Sequence, residues 1–555
     1  MDRKPGAAQK IEKMNRKNIF YGMLAGVLIC FPIMGIMYLG RQALGAPFAP
    51  FDILNWLSRA LPGPVITFGI DLTLDTLRFF GINVASTAKT VERLMAIGLF
   101  TTFGAIGGVL HFYLLGLMKI KNDIVPAFIA ALVLGIPIIS ISMAMGETTF
   151  SPTIHFLWLV MIFAGWGWAV QGVNRKILAL PLKSGKDSNQ PEKSDVQKLS
   201  RREFLIYLGG TSAVITVVGA GLGSILEKDP DGDPKWRIEG TSRAYSPSLF
   251  PNVDDPVEPV PGTRPEYTPV EDHYRVFIGL KHPIIDEETW QLPITGLVNQ
   301  PLLLTMDDLR NNYETRHQFV TLRCISGRVG TNLIGTTLWT GVSLQEVLAD
   351  ADIQEGGRYL ILTCADGFYE TINLNLVNSD PRIMLTHNWD NRPLPIEHGF
   401  PLRVWIPDVF GMKQPKWITG IEVVSNFQDG YWVERGWDIF ARVNTTSVID
   451  TVAVKSIIEK DGVKLIPIGG IAYAGARGIS KVELQVDDGE WEEAQLRKPL
   501  SDTTWVIWRF EWPYQEGNHT ISVRCFEGDG TQQVLEKSRL RPRGATGIHS
   551  VEIDI

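Results

Sequence analysis

The chain has 555 residues, too many for one ordinary domain, so two to four units are expected. Its 60 acidic and 53 basic side chains give a net charge of −7, and the dense basic clusters flank apolar runs, which speaks against nucleic-acid binding. No Cys or His cluster has ligand spacing, which speaks against a zinc site.

From residue 18 to residue 225 the chain is dominated by long apolar runs, at 18–40, 93–118, 124–146, 153–173 and 204–225. Each is close to the roughly 20 residues a helix needs to cross a bilayer, so five crossings are expected. The apolar stretch 64–84 holds Asp71, Asp75 and Arg78. A charge at mid-bilayer costs at least about 2.5 kcal/mol, so this stretch reads as an interfacial helix.

Lys10, Lys13, Arg16 and Lys17 precede the first run, Lys119 and Lys121 separate the second and third, and Arg175, Lys176, Lys183 and Lys186 follow the fourth. With five crossings all three clusters fall on one side, the cytoplasm. The chain then starts inside the cell and residues 227–555 face the periplasm or the exterior, as part of a multi-pass cell-membrane protein. Ser200-Arg-Arg-Glu-Phe-Leu205, directly before the last run, resembles a twin-arginine export signal, with Ile206 where a lysine often stands. That machinery carries folded proteins and suits a domain that receives a cofactor in the cytoplasm. No small-residue cleavage site follows Gly223, so the signal is expected to stay as an anchor.

The apolar runs contain His111 near one end and His155 near the other. At 1.5 Å per residue they stand on the order of 20 Å apart in height, too far to share one iron, so no haem is expected.

Residues 227–268 are rich in Pro and Asp and read as an extended linker. Between 269 and 440, short β runs (Phe319–Cys324, Tyr359–Cys364, Leu402–Ile406, Ile418–Val424) alternate with helical stretches such as Leu344–Ala351, which predicts an α+β domain. From 441 to 555 only strands are predicted. Asp488-Gly489 marks a hairpin, Val506, Trp508, Phe510 and Trp512 share one face, and Ile521, Val523 and Cys525 share another. This pattern suggests an immunoglobulin-like sandwich. Cys30 and Cys525 read as core fillers.

The segment Val320-Thr-Leu-Arg-Cys324-Ile-Ser-Gly-Arg328 places a cysteine at the end of an apolar strand beside a Gly-rich basic loop. Such a thiolate can hold a soft metal while neighbouring cations hold an anion. Trp339-Thr-Gly341-Val, His398-Gly-Phe-Pro-Leu-Arg403, Gly411-Met-Lys413-Gln-Pro-Lys416-Trp417-Ile, Gly430-Tyr-Trp-Val-Glu-Arg-Gly436-Trp and Ala545-Thr-Gly-Ile-His549 follow in order. In these segments the chain from about 270 onward resembles the sulfite oxidase family of molybdopterin-dependent oxidoreductases, in particular its prokaryotic membrane-anchored members.

That resemblance implies a molybdenum–molybdopterin cofactor with Cys324 as the one protein ligand to the metal. It implies that Arg275, His398, Arg403, Lys413 and Lys416 grip the cofactor and that Cys364 borders the pterin. Arg328 takes the position of an arginine that holds an anionic substrate. Phe368 stands where sulfite oxidases place a substrate-site tyrosine, and Tyr369 follows it, so sulfite itself is in doubt and Tyr369 is the candidate catalytic tyrosine.

The expected activity is two-electron oxygen-atom transfer on a small oxyanion or oxide. Methionine sulfoxide reductase-like activity and a non-catalytic scaffold are the alternatives. The electron carrier could be a quinone, a cytochrome or another subunit, and the sandwich resembles the family's dimerisation domain, so a homodimer is plausible. Replacing Arg201 and Arg202 with Lys tests the export signal. The soluble half is expected to stay on the cytoplasmic side in a protease-accessibility assay, and arrival outside with cofactor would refute the export role.

Overall fold

The structure, a computed structural model, describes residues 7–63, 84–117, 124–145, 150–179, 200–226, 249–279 and 282–555, with a few single positions between 65 and 76 and at 148. Asp71, Asp75 and Arg78, on which the expected interfacial helix rests, lie outside the described residues. The chain divides into two units, one of Met1–Leu61 with Thr73–Asp233 and one of Pro62–Leu72 with Pro234–Ile555.

The first unit is helical: α1 (Ala7–Leu44), α2 (Ala49–Ala60), α3 (Val84–Leu117), α4 (Ile124–Met145), α5 (Pro152–Ala179) and α6 (Arg201–Leu226). Ile19–Leu44, Thr90–Tyr113, Pro152–Ile177 and Arg201–Leu226 are long and apolar enough to cross a membrane, and Ala131–Met145 is a shorter apolar helix. Four of the five expected runs thus meet the length criterion among the described residues. The short helix α2 was not anticipated from the sequence.

Small residues bring these helices together. Gly22 and Gly26 of α1 meet Gly108 and Gly104 of α3, so a Cβ on Gly22, Gly26 or Gly108 would collide with the opposite backbone and one on Gly104 with the Cys30 sulfur. This is the close approach that small-xxx-small spacing permits between membrane helices. Gly22 faces Gly108 and Gly26 faces Gly104, so α1 and α3 are antiparallel. Gly35 meets Gly219 and Tyr38 meets Gly223, so α1 and α6 run the same way. Gly135 packs on Phe163 and Ser142 bonds His155, so α4 and α5 are antiparallel. His111 of α3 lies 2.9 Å from Gln171 of α5, and Gly107 meets Trp166, so those two are parallel. The five long helices therefore alternate in direction along the chain.

The second unit opens with residues 249–268. They are irregular, as their Pro and Asp content implies, but they are not the free tether the sequence suggests. Arg264 forms a 2.6 Å ion pair with Asp450, Arg497 bonds the carbonyls of Asn252 and Val257, and Phe250 and Tyr267 are buried with Phe319, Leu338 and Leu500.

A mixed sheet follows in the order β2-β1-β10-β5-β6, with β1 (Leu292–Gly296) parallel to β10 (Ile418–Val424), and β2 (Leu302–Leu304), β5 (Tyr359–Cys364) and β6 (Tyr369–Asn373) joined antiparallel. Its inner face packs on α7 (Met306–Asn312), α8 (Leu344–Ala351) and α9 (Leu374–Ser379) around Leu292, Leu360, Leu362, Ile372 and Ile421. A capping box at Thr305–Asp308 starts α7. A second sheet joins β3 (Arg316–Arg323), β4 (Ile334–Ser343), β7 (Met384–Trp389) and β8 (Arg392–Pro393), with β9 (Arg403–Trp405) beside β7. The expected β runs and helix of this α+β region are all present.

Two antiparallel sheets fill the C-terminal part. One contains β11 (Thr446–Val452), β12 (Ile458–Lys460), β13 (Val463–Tyr473), β16 (Gln495–Leu496) and β17 (Val506–Pro513). The other contains β14 (Ile479–Val486), β15 (Glu492–Glu493), β18 (Asn518–Glu527) and β19 (His549–Asp554). Trp508, Phe510, Trp512 and Ile468 of the first sheet share a buried cluster with Val482, Leu484, Ile521, Val523 and Cys525 of the second. The alternation read in the sequence is the inward face of each strand. All four cysteines are buried and free.

Candidate functional site

Strand β3 delivers Cys324, and both of its edges are occupied. One edge pairs with β4. On the other side Thr321 N donates to Thr503 O at 3.1 Å, Ser501 Oγ to Phe319 O at 2.6 Å, and Tyr473 Oη to Thr321 O at 2.9 Å. Arg323, the last residue of β3, is buried and donates to Asn444 O at 2.9 Å. The C-terminal sheets and their loops therefore fix the strand that carries the cysteine.

Past Arg323 the chain turns sharply. Cys324 N donates to Leu333 O at 3.0 Å and Gly327 N to Cys324 O at 3.1 Å. Cys324 Sγ lies 3.1 Å from Ser326 Oγ. Burial pushes the thiol up in pKa, while Ser326 and the Arg323 guanidinium pull it down. Without a metal the group is therefore a thiol, and a bound cation would be needed to ionise it.

A second group of side chains comes from the segments 273–275, 398–403 and 416. Arg403 stacks over the Trp339 ring at 4.4 Å and donates to His398 O at 2.9 Å. Lys416 donates to Glu397 O at 3.1 Å and lies 4.4 Å from the Trp417 ring centre. Arg275 stands 3.7 Å from Glu397. Gly399 makes the arrangement possible: its φ is +117°, and a Cβ there would lie 3.1 Å from Lys416 Cβ and 3.2 Å from Arg403 Cβ. His398 packs at 4.6 Å on Trp389 and at 5.5 Å on His273, which stacks on Tyr274.

These groups are buried without partners for several polar atoms. His398 Nε2, Arg403 Nε, Tyr274 Oη and Trp339 Nε1 have no hydrogen-bond partner among the described residues. Burial depresses the pKa of Arg403 to about 10, of His273 to about 3 and of His398 well below the usual histidine range. Burial, with the nearby Cys324 sulfur, also raises Tyr274 well above the usual phenol. Unpaired buried donors are costly, and a cluster of them marks a place for an acceptor-rich ligand.

Other candidates fall elsewhere. Lys413, expected on the cofactor, is committed to a buried ion pair: its Nζ donates to Glu370 Oε1 at 2.7 Å, with both side chains at 7% exposure or less. Glu370 was not anticipated. It shares the inward face of β6 with Ile372, and that alternation is the signal that could have exposed it.

Cys364 lies in the apolar core of the mixed sheet with Leu362 and Ile418, near Lys416. Tyr369 is partly exposed and its hydroxyl donates to Glu434 at 2.5 Å, whereas Phe368 turns into the core, the opposite facing expected of an alternating strand. Arg328 is exposed on the Cys324 loop, and its guanidinium has no partner among the described residues. Tyr274, and Arg323 from within the Cys324 motif, both stand beside Cys324.

Fold and site together define a molybdopterin-binding oxidoreductase domain. Residues 279–432 match the family described as "Oxidoreductase molybdopterin binding domain". The chain is 26% identical over 294 residues to mitochondrial sulfite oxidase of Homo sapiens, covering 44% of this chain and 52% of that one. It is 27% identical over 259 residues to the NADPH nitrate reductase of Fusarium oxysporum, covering 38% of this chain and 29% of that one. The structure is similar to that of the sulfane dehydrogenase SoxCD from Paracoccus pantotrophus, with a TM-score of 0.43 and 19% identity, over 50% of this chain and 78% of that one. The chain spans between under a third and about half the length of these curated relatives. Residues 279–432 thus carry a molybdopterin-binding oxidoreductase domain similar to that of sulfite oxidases and nitrate reductases.

Two outcomes follow from this geometry. Removing one partner of a buried pair leaves the other charge stranded, so Glu370→Ala is expected to cost about 3–5 kcal/mol in denaturant unfolding. Combining Glu370→Ala with Lys413→Met is expected to restore most of that, and an additive loss would show that the pair is not coupled. For His273, the folded pKa near 3 lies below the ordinary histidine value of 6.5, so the unfolded chain binds the extra proton. Stability is therefore present above pH 6.5 and lost as pH falls from 6.5 towards 3, by up to about 1.4 kcal/mol per unit. His273→Phe is expected to flatten that slope in acid titrations of thermal unfolding.

Proposed function

We propose that the protein is a membrane-anchored molybdenum enzyme that moves an oxygen atom to or from a small oxyanion or oxide outside the cytoplasm. The observation that carries this is the set of buried donors without partners, Tyr274 Oη, His398 Nε2, Arg403 Nε and Trp339 Nε1, gathered near the buried Cys324. Their chemistry fits a sulfur-rich, phosphate-bearing group. Cys324 supplies the soft ligand, Arg403 and His398 supply directed donors, and Lys416 and Arg275 supply charge. Lys413 keeps its charge with Glu370 as counter-ion.

When bound, the cofactor supplies two-electron oxygen-atom chemistry at the metal. The chain's own residues position and tune. Arg323 and Ser326 favour the thiolate form of Cys324. Arg328, unpaired and exposed on the cysteine loop, is placed to draw in an anion. Tyr369, tethered to Glu434, and Arg435, stacked 3.6 Å from the Tyr431 ring centre, complete the candidate substrate wall.

This reading includes five crossings with the catalytic unit outside, export through the Arg201-Arg202 signal, no haem, and an immunoglobulin-like C-terminal domain of the dimerisation type. The alternation in direction of the five long helices supports the first point, and the shared core of the two antiparallel sheets supports the last.

The deciding measurement is molybdenum and pterin content of the purified protein and of Cys324→Ser. Near-stoichiometric metal is expected in the parent, with an altered metal spectrum and lost turnover in the variant. Neither metal nor pterin in the parent, after expression in a host that makes the cofactor, would overturn the proposal.

A further inference from the structure

The first unit holds a buried polar chain that the molybdenum site does not use. Asp52 of α2, Ser142 of α4 and His155 of α5 have exposures of 1%, 0% and 2%. Ser142 Oγ donates to Asp52 Oδ2 and lies 3.0 Å from His155 Nε2. A hydroxyl has one proton. With that proton on the Asp52 carboxylate, the serine oxygen accepts from His155, so Nε2 carries a hydrogen. The order His155, Ser142, Asp52 is thus a directed donor–acceptor chain. The other ring nitrogen, Nδ1, has no partner among the described residues.

The three residues sit on the same side of the bundle. Asp52 follows the end of α1, Ser142 is near the end of α4 and His155 is near the start of α5. The directions of the helices place them at the end where α1, α4 and α6 finish. At the opposite end His111 meets Gln171 at 2.9 Å. An ionisable chain inside an apolar bundle is costly to keep and ordinarily marks a functional path.

We propose that Asp52, Ser142 and His155 bind the head group of a membrane-dissolved quinone and transfer its protons, which supplies the electron carrier for the molybdenum reading above and rests on it. The stoichiometry matches. A quinol QH2 and an oxide XO give Q, X and water: two quinol O–H bonds break, two electrons pass to the metal centre and reduce the X–O bond, and two protons end in the water. A quinol carries electrons and protons in that ratio and dissolves in the apolar phase in which these helices are suited to sit.

In the first transfer the quinol proton goes to His155 Nδ1, the Nε2 hydrogen passes to Ser142, and the serine proton passes to Asp52. Release from Asp52 to water readies the chain for the second. Run in reverse, the same chain protonates a quinone, so the site serves either direction of electron flow.

The test uses the full-length, molybdenum-loaded protein in detergent. Binding of ubiquinone-1 is read by tryptophan fluorescence quenching, and metal reduction by the Mo(V) paramagnetic signal after adding ubiquinol-1 or, separately, dithionite-reduced methyl viologen. Asp52→Asn, Ser142→Ala and His155→Gln are expected to slow reduction by ubiquinol-1 by about 10²-fold. Reduction by viologen should stay unchanged, and Ser142→Thr, which keeps the hydroxyl, should recover the quinol rate. Variants that bind ubiquinone-1 and accept ubiquinol electrons at the parent's rate would overturn the proposal. So would a parent that binds no ubiquinone-1. A parent that binds ubiquinone-1 but holds no molybdenum would instead sink the molybdenum reading and leave the quinone site standing.

Discussion

Buried positive and polar groups whose hydrogen-bonding atoms are only partly satisfied are the constraint around which the second unit is organised. Arg403 and His398 are at 2% exposure, and Tyr274 is enclosed beside Cys324, yet their free nitrogens and hydroxyl find no partner among the described residues. Left alone, such groups cost several kcal/mol each in an apolar interior. The Lys413 ammonium, by contrast, has its counter-ion within the unit: Glu370 Oε1 accepts from it across 2.7 Å and takes a further hydrogen bond from Thr371 N. A region built only for packing would resolve its charges in that second way. Arg403 Nε and His398 Nε2 have no such partner among the described residues.

The position of the cysteine depends on parts of the chain far from it in sequence. Strand β3 would have an open edge if the α+β region stood alone, and open edges invite mispairing. Thr503, Ser501 and Tyr473 close that edge, and Asn444 holds Arg323. Residues 249–268 add a further layer through Arg264, Arg497 and Tyr267. The C-terminal sheets are therefore part of the scaffold of the Cys324 loop, whatever else their outer surfaces do. His549 of β19 carries this to the loop itself, since a Cβ on Gly330 would lie 2.7 Å from its Nε2.

Local pattern made much of this legible. The strands at Tyr359–Cys364 and Ile418–Val424 stand where their apolar alternation puts them, and the helix Leu344–Ala351 follows its own periodicity. Cys324, His398, Arg403 and Lys416 were singled out through the motifs that carry the resemblance, and the structure buries Cys324, His398 and Arg403. What escaped was set by contacts between distant segments. Asp255 and Asn252 look like linker residues until Lys498 and Arg497, more than 240 positions away, take their hydrogen bonds. Glu370 reads as a surface carboxylate until Lys413 arrives from the 411–413 turn. Cys364 has the same neighbours in sequence as a cofactor contact would, and only the packing of β5 against β10 assigns it to the apolar core.

The helical unit shows the same division between packing and chemistry. Between α1 and α3 the glycine pairs bring backbones so close that no side chain larger than hydrogen fits, which commits that interface to shape alone. Between α1 and α6, Gly35 and Gly219 do likewise. Buried hydrogen-bonded polar side chains include the group formed by α2, α4 and α5 at one end and the pair formed by α3 and α5 at the other. Helix α5 contributes to both, with His155 near its start and Gln171 sixteen residues on, roughly 24 Å along the axis. Separation on that scale prevents the two sites from sharing a proton directly. Each must act with what lies at its own end, and at the α2, α4 and α5 end the carboxylate of Asp52 gives a place to put a charge.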